Sequence, residues 1–197
     1  MNATEQIYNM AIENNGVVTA SMLTEAGINR GNLKYLADIG RLENVARGVY
    51  ILPEIWEDEF FNLQNRFKRG IFSLETALFL WDLTDRTPLK FCMTFPKGYN
   101  LTSAKAENIQ CVQNVKGLYE LGITQVATPS GNNVNCYCME KTLCDILRPR
   151  MNVDIQVITD AYKRYMKRKD KNIPLLSEYA KKLQAEGKVR SYLEVLQ

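Results

Sequence analysis

The sequence contains no histidine. That absence removes Ser-His-Asp and Cys-His nucleophilic catalysis, and any zinc site that needs imidazole. An enzyme of this composition would have to work with carboxylates, lysine, tyrosine or cysteine alone. The five cysteines, Cys92, Cys111, Cys136, Cys138 and Cys144, are odd in number and form no C-x-x-C pair. Their simplest reading is as small buried hydrophobes in a reducing compartment; a three-thiolate site from Cys136, Cys138 and Cys144 is the alternative. A Gly-rich phosphate loop of the G-x-x-x-x-G-K-S/T kind is missing. So are paired acids in a useful arrangement. Glu57, Asp58 and Glu59 read as a helix-start cluster, Asp82 and Asp85 lie near a helix end, and Glu140 and Asp145 are five apart and do not share a helix face. We therefore expect no catalytic residue, metal or cofactor.

No stretch approaches the roughly 18 uncharged apolar residues of a membrane span. The first ten residues, MNATEQIYNM, have neither the cationic start nor the apolar run of a signal peptide. The expected location is the cytoplasm, with no membrane partner. Positive charge is scarce early in the chain. Glu5, Glu13 and Glu25 precede the first cation, Arg30. Residues 1–52 hold four Lys and Arg against five Asp and Glu, residues 53–150 eleven against eleven, and residues 151–197 ten against six. Within 30–52, however, Arg30, Lys34, Arg41 and Arg47 face only Asp38 and Glu43. Such asymmetry points to an acidic partner at particular surfaces.

What is present orders itself clearly. Residues 3–14 read as a helix capped by Thr4, with Ile7, Met10 and Ala11 as its stripe, and Asn14-Asn15-Gly16 stops it. Val17 to Thr19 is a brief extended piece, and Ser21 to Ala26 a second helix ended by Gly27. A third helix of about 11 residues, roughly 16 Å long, begins with Asn29 as cap and ends at Gly40. Then RLENVARGVYIL, Arg41 to Leu52, forms a hairpin whose tip is Ala46, Arg47 and Gly48. Three helices closed by a hairpin make a winged helix-turn-helix, and the short Gly-bearing turn between helices two and three suits it.

Residues 53–70 read as a connector helix with Trp56, Phe60, Leu63 and Phe67 as its apolar stripe. Beyond it, FSLETALFLWDL (capped by Ser73) and MEKTLCDIL (ended by Pro149) are helical, and PLKFCMTFP, NIQCVQNV, GITQVAT and VNCYCM are strand-like. Residues 152–169 form an amphipathic helix, with Ile155, Ile158, Ala161, Tyr162, Tyr165 and Met166 inward. Pro174 opens another helix that stops at Gly187, and SYLEVL closes the chain. The fold class expected is α+β: a winged helix-turn-helix over 1–52, the connector over 53–70, and a mixed α/β domain ending in helices over 71–197.

Placement of side chains suggests duplex DNA as the partner. Asn29, Arg30, Asn32, Lys34 and Tyr35 sit at and just after the start of the third helix. Arginine and asparagine there can pair with guanine and adenine edges, and lysine and tyrosine with phosphates. Arg41 and Arg47 belong to the wing, and Arg47 is expected to enter the adjacent minor groove or hold a phosphate. A second basic face, Lys163, Arg164, Lys167, Arg168 and Lys171, is either plain solvation or a surface that follows phosphates.

The segments GVVTASMLTEAGINRGNLKYLADIGRLENVARGVYIL, FSLETALFLWDLTDRTP, YELGITQV and NVNCYCMEKTLCDILR together resemble the AbiEi abortive-infection antitoxins. That family carries an S-x-E-S/T-A-L helix after the connector, here Ser73 to Leu78, and an E-K/R-T-L/I-x-D helix after the last strand, here Glu140 to Asp145. The resemblance implies the antitoxin of a type IV toxin–antitoxin system in phage defence. It implies a winged helix that binds inverted repeats in its own promoter and represses the operon. It also implies a C-terminal domain that counteracts a nucleotidyltransferase-like toxin, AbiEii, without a stable complex. The expected protein is not an enzyme, and is a monomer in solution or a weak dimer on DNA. The alternatives are a ligand-responsive repressor and a DNA- or nucleotide-acting enzyme with a winged-helix specificity domain.

Overall fold

The computed structural model describes residues 2–53 and 58–196, so Trp56 and Glu57 lie outside the described residues. The protein is mixed α+β with a winged helix-turn-helix at its N-terminal end. The chain forms two compact units: Met1–Lys68 with Ala127–Val134, and Arg69–Val126 with Asn135–Gln197.

In the first unit, α1 (Ala3–Glu13) starts where the sequence suggested and ends one residue sooner. Asn2, not Thr4, is the cap: its side chain accepts from the Thr4 N–H at 2.7 Å, while its own N–H donates to Glu5 at 3.1 Å. This reciprocal capping box satisfies two orphan donors, which Thr4 alone could not do. The chain leaves α1 through Asn15 and Gly16, both left-handed. It then runs through β1 (Val17–Thr19), α2 (Ala20–Glu25), α3 (Gly31–Asp38), β2 (Glu43–Ala46) and β3 (Val49–Ile51). The three strands form an antiparallel sheet in the order β1-β3-β2. Ile7, Ala11, Val18, Leu23, Leu33, Leu36, Leu42 and Leu52 form one buried cluster, to which each helix contributes. Each buried Val, Leu or Ile among them is worth about 1.5–3 kcal/mol of transfer energy.

The third helix is shorter than expected: eight residues, so about 12 Å. Asn29 does not cap it in the helical sense. Its Oδ1 accepts from Gly31 N–H at 2.8 Å, a side-chain turn that holds the chain outside the helix, and Arg30 becomes the terminal residue. The connector is also reduced. Pro53 lies in a turn, and the helix is α4 (Glu59–Arg66), capped by Asp58. Asp58 is buried and also accepts from Thr128 Oγ1 and Asn132 Nδ2, which belong to the same unit.

The second unit is built on a five-stranded sheet in the order β6-β5-β4-β8-β7. Its strands are β4 (Ile71–Phe72), β5 (Cys92–Pro96), β6 (Gln110–Asn114), β7 (Ile123–Ala127) and β8 (Asn133–Tyr137). β4 pairs antiparallel to β5 and parallel to β8, and β5 runs parallel to β6. The helices are α5 (Leu74–Leu80), α6 (Thr102–Ala106), α7 (Lys116–Tyr119), α8 (Met139–Ile146), α9 (Ile155–Lys167), α10 (Ile173–Lys182) and α11 (Glu186–Leu196). Every residue of α8 is buried, and Leu143 and Cys144 share a cluster with Leu78, Tyr162, Tyr165 and Leu176.

Three local expectations change here, and a fourth gains detail. Ser73 precedes α5 but makes no capping bond; its Oγ accepts from the Thr94 hydroxyl at 3.0 Å, tying α5 to β5 instead. Ile155 is 65% exposed at the first position of α9, and Val157 fills the inward place. Gly187 does not stop a helix. The turn after α10 is made at Gln184, with φ of 56°, and Gly187 lies in the first turn of α11. Pro149 does follow α8, but as the start of a 3-10 turn, Pro149–Met151. Among the described residues, no helix is long and apolar enough to cross a membrane.

Candidate nucleic-acid interface

The geometry of α3 follows from its period. Leu33 and Leu36 turn inward and are buried, which leaves Gly31, Lys34, Tyr35 and Asp38 on the opposite side at about 100° per residue. Lys34 and Tyr35 are thus exposed on the outward face. Tyr35 leaves a large ring 55% exposed, with its hydroxyl free to meet a polar partner. Asn32 is half-buried on the flank of this face. Arg30 is exposed at the helix start, and its Nε donates to Thr24 Oγ1 on α2, which sets the direction of the guanidinium. Asn29 is exposed, but its oxygen is committed to the Gly31 amide.

The wing is locked from inside. Ala46 pairs with Val49, and the ladder shifts register between Asn44 and Ala46. Asn44 Nδ2 donates to the carbonyls of Ala46 at 2.9 Å and Val49 at 3.2 Å, closing the mouth of the loop. Gly48 takes a φ of 74°, which a side chain would resist, and its carbonyl accepts from Ala20 N–H at 2.8 Å. Arg47 therefore projects into solvent from a fixed tip. Arg41 is elsewhere. It lies at the base of the hairpin, beside a shallow recess of about 400 Å³ lined also by Tyr8, Gly40, Leu52 and Pro53.

The seven residues read from the sequence thus divide. Asn29, Arg30 and Asn32 stand at the start of α3, Lys34 and Tyr35 on its outward face, Arg47 at the wing tip, and Arg41 at the wing base. Asp38 shares the outward face one turn beyond Lys34, and Glu43 is exposed on β2. The surface is only mildly basic.

The second basic face is neutralised at its two arginines and not at its lysines. Arg164 is bound by Asp160 through Nε at 2.9 Å and by Asp85 through Nη2. Arg168 forms a two-pronged pair with Asp170, both contacts 2.8 Å, and donates Nη1 to the Trp81 carbonyl at 3.1 Å. That pairing holds the Asp170 carboxyl below its usual range. Lys171 Nζ donates to the Arg168 carbonyl. Lys163 and Lys167 are exposed and make no ion pair among the described residues.

Sequence reading missed a buried polar cluster on α8. Glu140 accepts from Tyr165 OH at 2.8 Å and from Asn172 N–H at 3.3 Å. Lys141, with no exposed surface, pairs with Asp145 and sits 4.4 Å above the Tyr137 ring; Arg148 reaches the same carboxylate at 3.3 Å. The signal was two adjacent charges inside an apolar run, which on a surface helix would simply be solvated. The charges satisfy one another, so they fix α8 within its unit.

The cysteines are all free. Among the described residues no three His, Cys, Asp or Glu side chains assemble to hold a metal. Burial pushes the Cys138 thiol up to about 11 and the Cys144 thiol up to about 12, so neither is a thiolate at neutral pH.

Comparison with known proteins places part of this chain. Residues 5–53 match the family model described as "Transcriptional regulator, AbiEi antitoxin". That stretch runs from α1 through the wing. A crystal structure of the RV2827C protein from Mycobacterium tuberculosis is similar over 98% of this chain and 80% of its own, with 15% identity and a TM-score of 0.47. No curated protein matches the chain.

Proposed function

From the AbiEi transcriptional-regulator match over residues 5–53, we propose that this protein is the antitoxin and autorepressor of a type IV toxin–antitoxin operon. Its winged helix binds inverted repeats in the operon's own promoter. Lys34 and Tyr35 clamp the major groove from the outward face of α3, and Arg30 and Asn32 read base edges from its start. Arg47 enters the adjacent minor groove or holds a phosphate, and Arg41 and Asn29 contribute from the margins. The C-terminal unit counteracts a nucleotidyltransferase-like toxin without a stable complex and without enzymatic activity of its own. The protein acts as a monomer in solution or a weak dimer on DNA, in the cytoplasm.

One observation carries the reading: α3 directs its leucines inward and leaves Lys34 and Tyr35 exposed, in a segment that also fixes Arg47 at a rigid tip. A helix kept only for packing has no need of an exposed tyrosine beside a lysine. The test is a duplex-binding titration with the promoter fragment and an unrelated duplex. Preference for the promoter, lost in the Arg30→Ala/Asn32→Ala variant and kept at lower overall affinity in Lys34→Ala/Tyr35→Ala, supports the reading; equal affinity of the wild type for both duplexes overturns it.

A further inference from the structure

We propose that the second unit binds a nucleoside phosphate in a cleft between the turn after α8 and the turn joining α10 to α11. The cleft has a volume of about 510 Å³. Three cations line it, Arg148, Arg150 and Lys188, and no carboxylate does. This sets it apart from another cleft of the same unit, about 340 Å³, where Arg86 and Lys90 are balanced by Glu75 and Asp154.

Two of the three cations are held in place. Lys188 Nζ donates to the Leu147 carbonyl at 2.9 Å, and Arg148 Nη1 contacts Asp145 Oδ1 at 3.3 Å. Each keeps further donors for a ligand, because an ammonium has three and a guanidinium five. Arg150 is exposed and makes no ion pair among the described residues. Converging, partly fixed cations suit the several oxygens of a phosphate chain better than a single carboxylate.

Other features of the cleft agree. The eleven-residue helix α11 begins at its edge, where the first amides precede the bond from Val189 N–H to the Ala185 carbonyl. Such a helix start favours an anion. The buried Leu147 and Leu183 and the exposed Pro149 ring supply apolar surface for a base. Gln184, left-handed at φ 56°, places an amide side chain beside them, able to donate and accept at a base edge. The volume is that of a small-molecule site and exceeds what a lone phosphate would fill.

The test is calorimetric titration of the full chain with ATP as probe, and separately with pyrophosphate. ATP should bind saturably and more tightly than pyrophosphate, because only ATP uses the apolar wall. Arg150→Ala should weaken ATP binding about tenfold, and Arg150→Glu more, with unchanged thermal midpoints since the side chain is exposed. Lys34→Ala should leave ATP binding intact, so promoter binding and nucleotide binding fail independently. The proposal is overturned by absence of saturable binding at millimolar ATP, or by equal affinity in wild type and Arg150→Glu. It is equally overturned if a single-stranded oligonucleotide binds more tightly than ATP and loses that binding in Arg150→Glu. That last result would make the cleft a polynucleotide surface.

Discussion

Thr128 donates its hydroxyl hydrogen to Asp58 Oδ2 at 2.6 Å, across 70 positions of sequence. The same carboxylate oxygen accepts from Asn132 Nδ2 at 2.9 Å, and the other oxygen caps α4 through Phe61 N–H at 3.1 Å. Residues 127–134 thereby join the unit that carries the winged helix, although they lie far along the chain.

Removing that carboxylate leaves buried donors unpaired and uncaps α4. Asp58→Ala should cost roughly 2–4 kcal/mol of unfolding free energy, read from urea denaturation. A loss under about 0.5 kcal/mol would mean the contacts contribute little net stability.

The wing offers a pair of contrasting variants. Arg47→Ala removes a charge from an exposed tip, so promoter affinity should fall and the salt slope should shrink by about 0.9. Asn44→Ala keeps the charge but frees the loop, because both of its carbonyl bonds disappear. Affinity should fall while the slope stays the same. If Asn44→Ala altered the slope and Arg47→Ala did not, the wing would have been assigned the wrong role.

The C-terminal cations should separate by function. Arg164 and Arg168 are engaged with carboxylates and a carbonyl. Their alanine variants should lose a little stability and nothing else, since solvent screens these exposed pairs. Lys163→Ala/Lys167→Ala should leave the melting temperature alone. Any effect on promoter affinity or on rescue from the toxin should belong to this lysine pair. Rescue lost only in the arginine variants, with stability intact, would reverse the assignment.

Alkaline pH should destabilise the protein. Burial raises the Cys92 and Cys138 thiols to about 11 and Cys144 to about 12, against an unfolded value of 9.0. A raised acid holds its proton in the folded state and releases it more readily when unfolded. The contribution is therefore complete below the unfolded value and declines as pH rises through 9.0 toward the folded values. The melting temperature should fall over that window, and less steeply in Cys144→Ala measured against its own neutral-pH value. A flat profile would show that these thiols ionise equally in both states.

Much of the first unit was legible because its signals are local. Glycine at 27 and 48, leucines at helical spacing, and alternating β-branched residues each act over a few positions. The cap at Asn2 and the side-chain turn at Asn29 were misread because several adjacent residues could each have capped the helix. The local bonds that Asn2 makes with Thr4 and Glu5, and Asn29 with Gly31, decided among them. β4 was invisible: two apolar residues, Ile71 and Phe72, carry no period, and only their neighbours β5 and β8 make them a strand. The buried cluster of α8 was not legible because burial of Lys141 depends on Tyr137 and Asp145 folding around it. The basic stripe of α9 looked free for a similar reason, since Asp85 reaches Arg164 from a distant loop.

The central claim is that α3 and the wing grip DNA. It is tested most directly by fluorescence anisotropy of the full chain on its own promoter, over a range of salt, for wild type and Lys34→Ala/Arg47→Ala. Wild type should prefer the promoter over an unrelated duplex, and the salt slope should be smaller by about 1.8 in the double variant, close to 0.9 for each cation removed. No promoter preference in the wild type, or an unchanged slope in the variant, would contradict it.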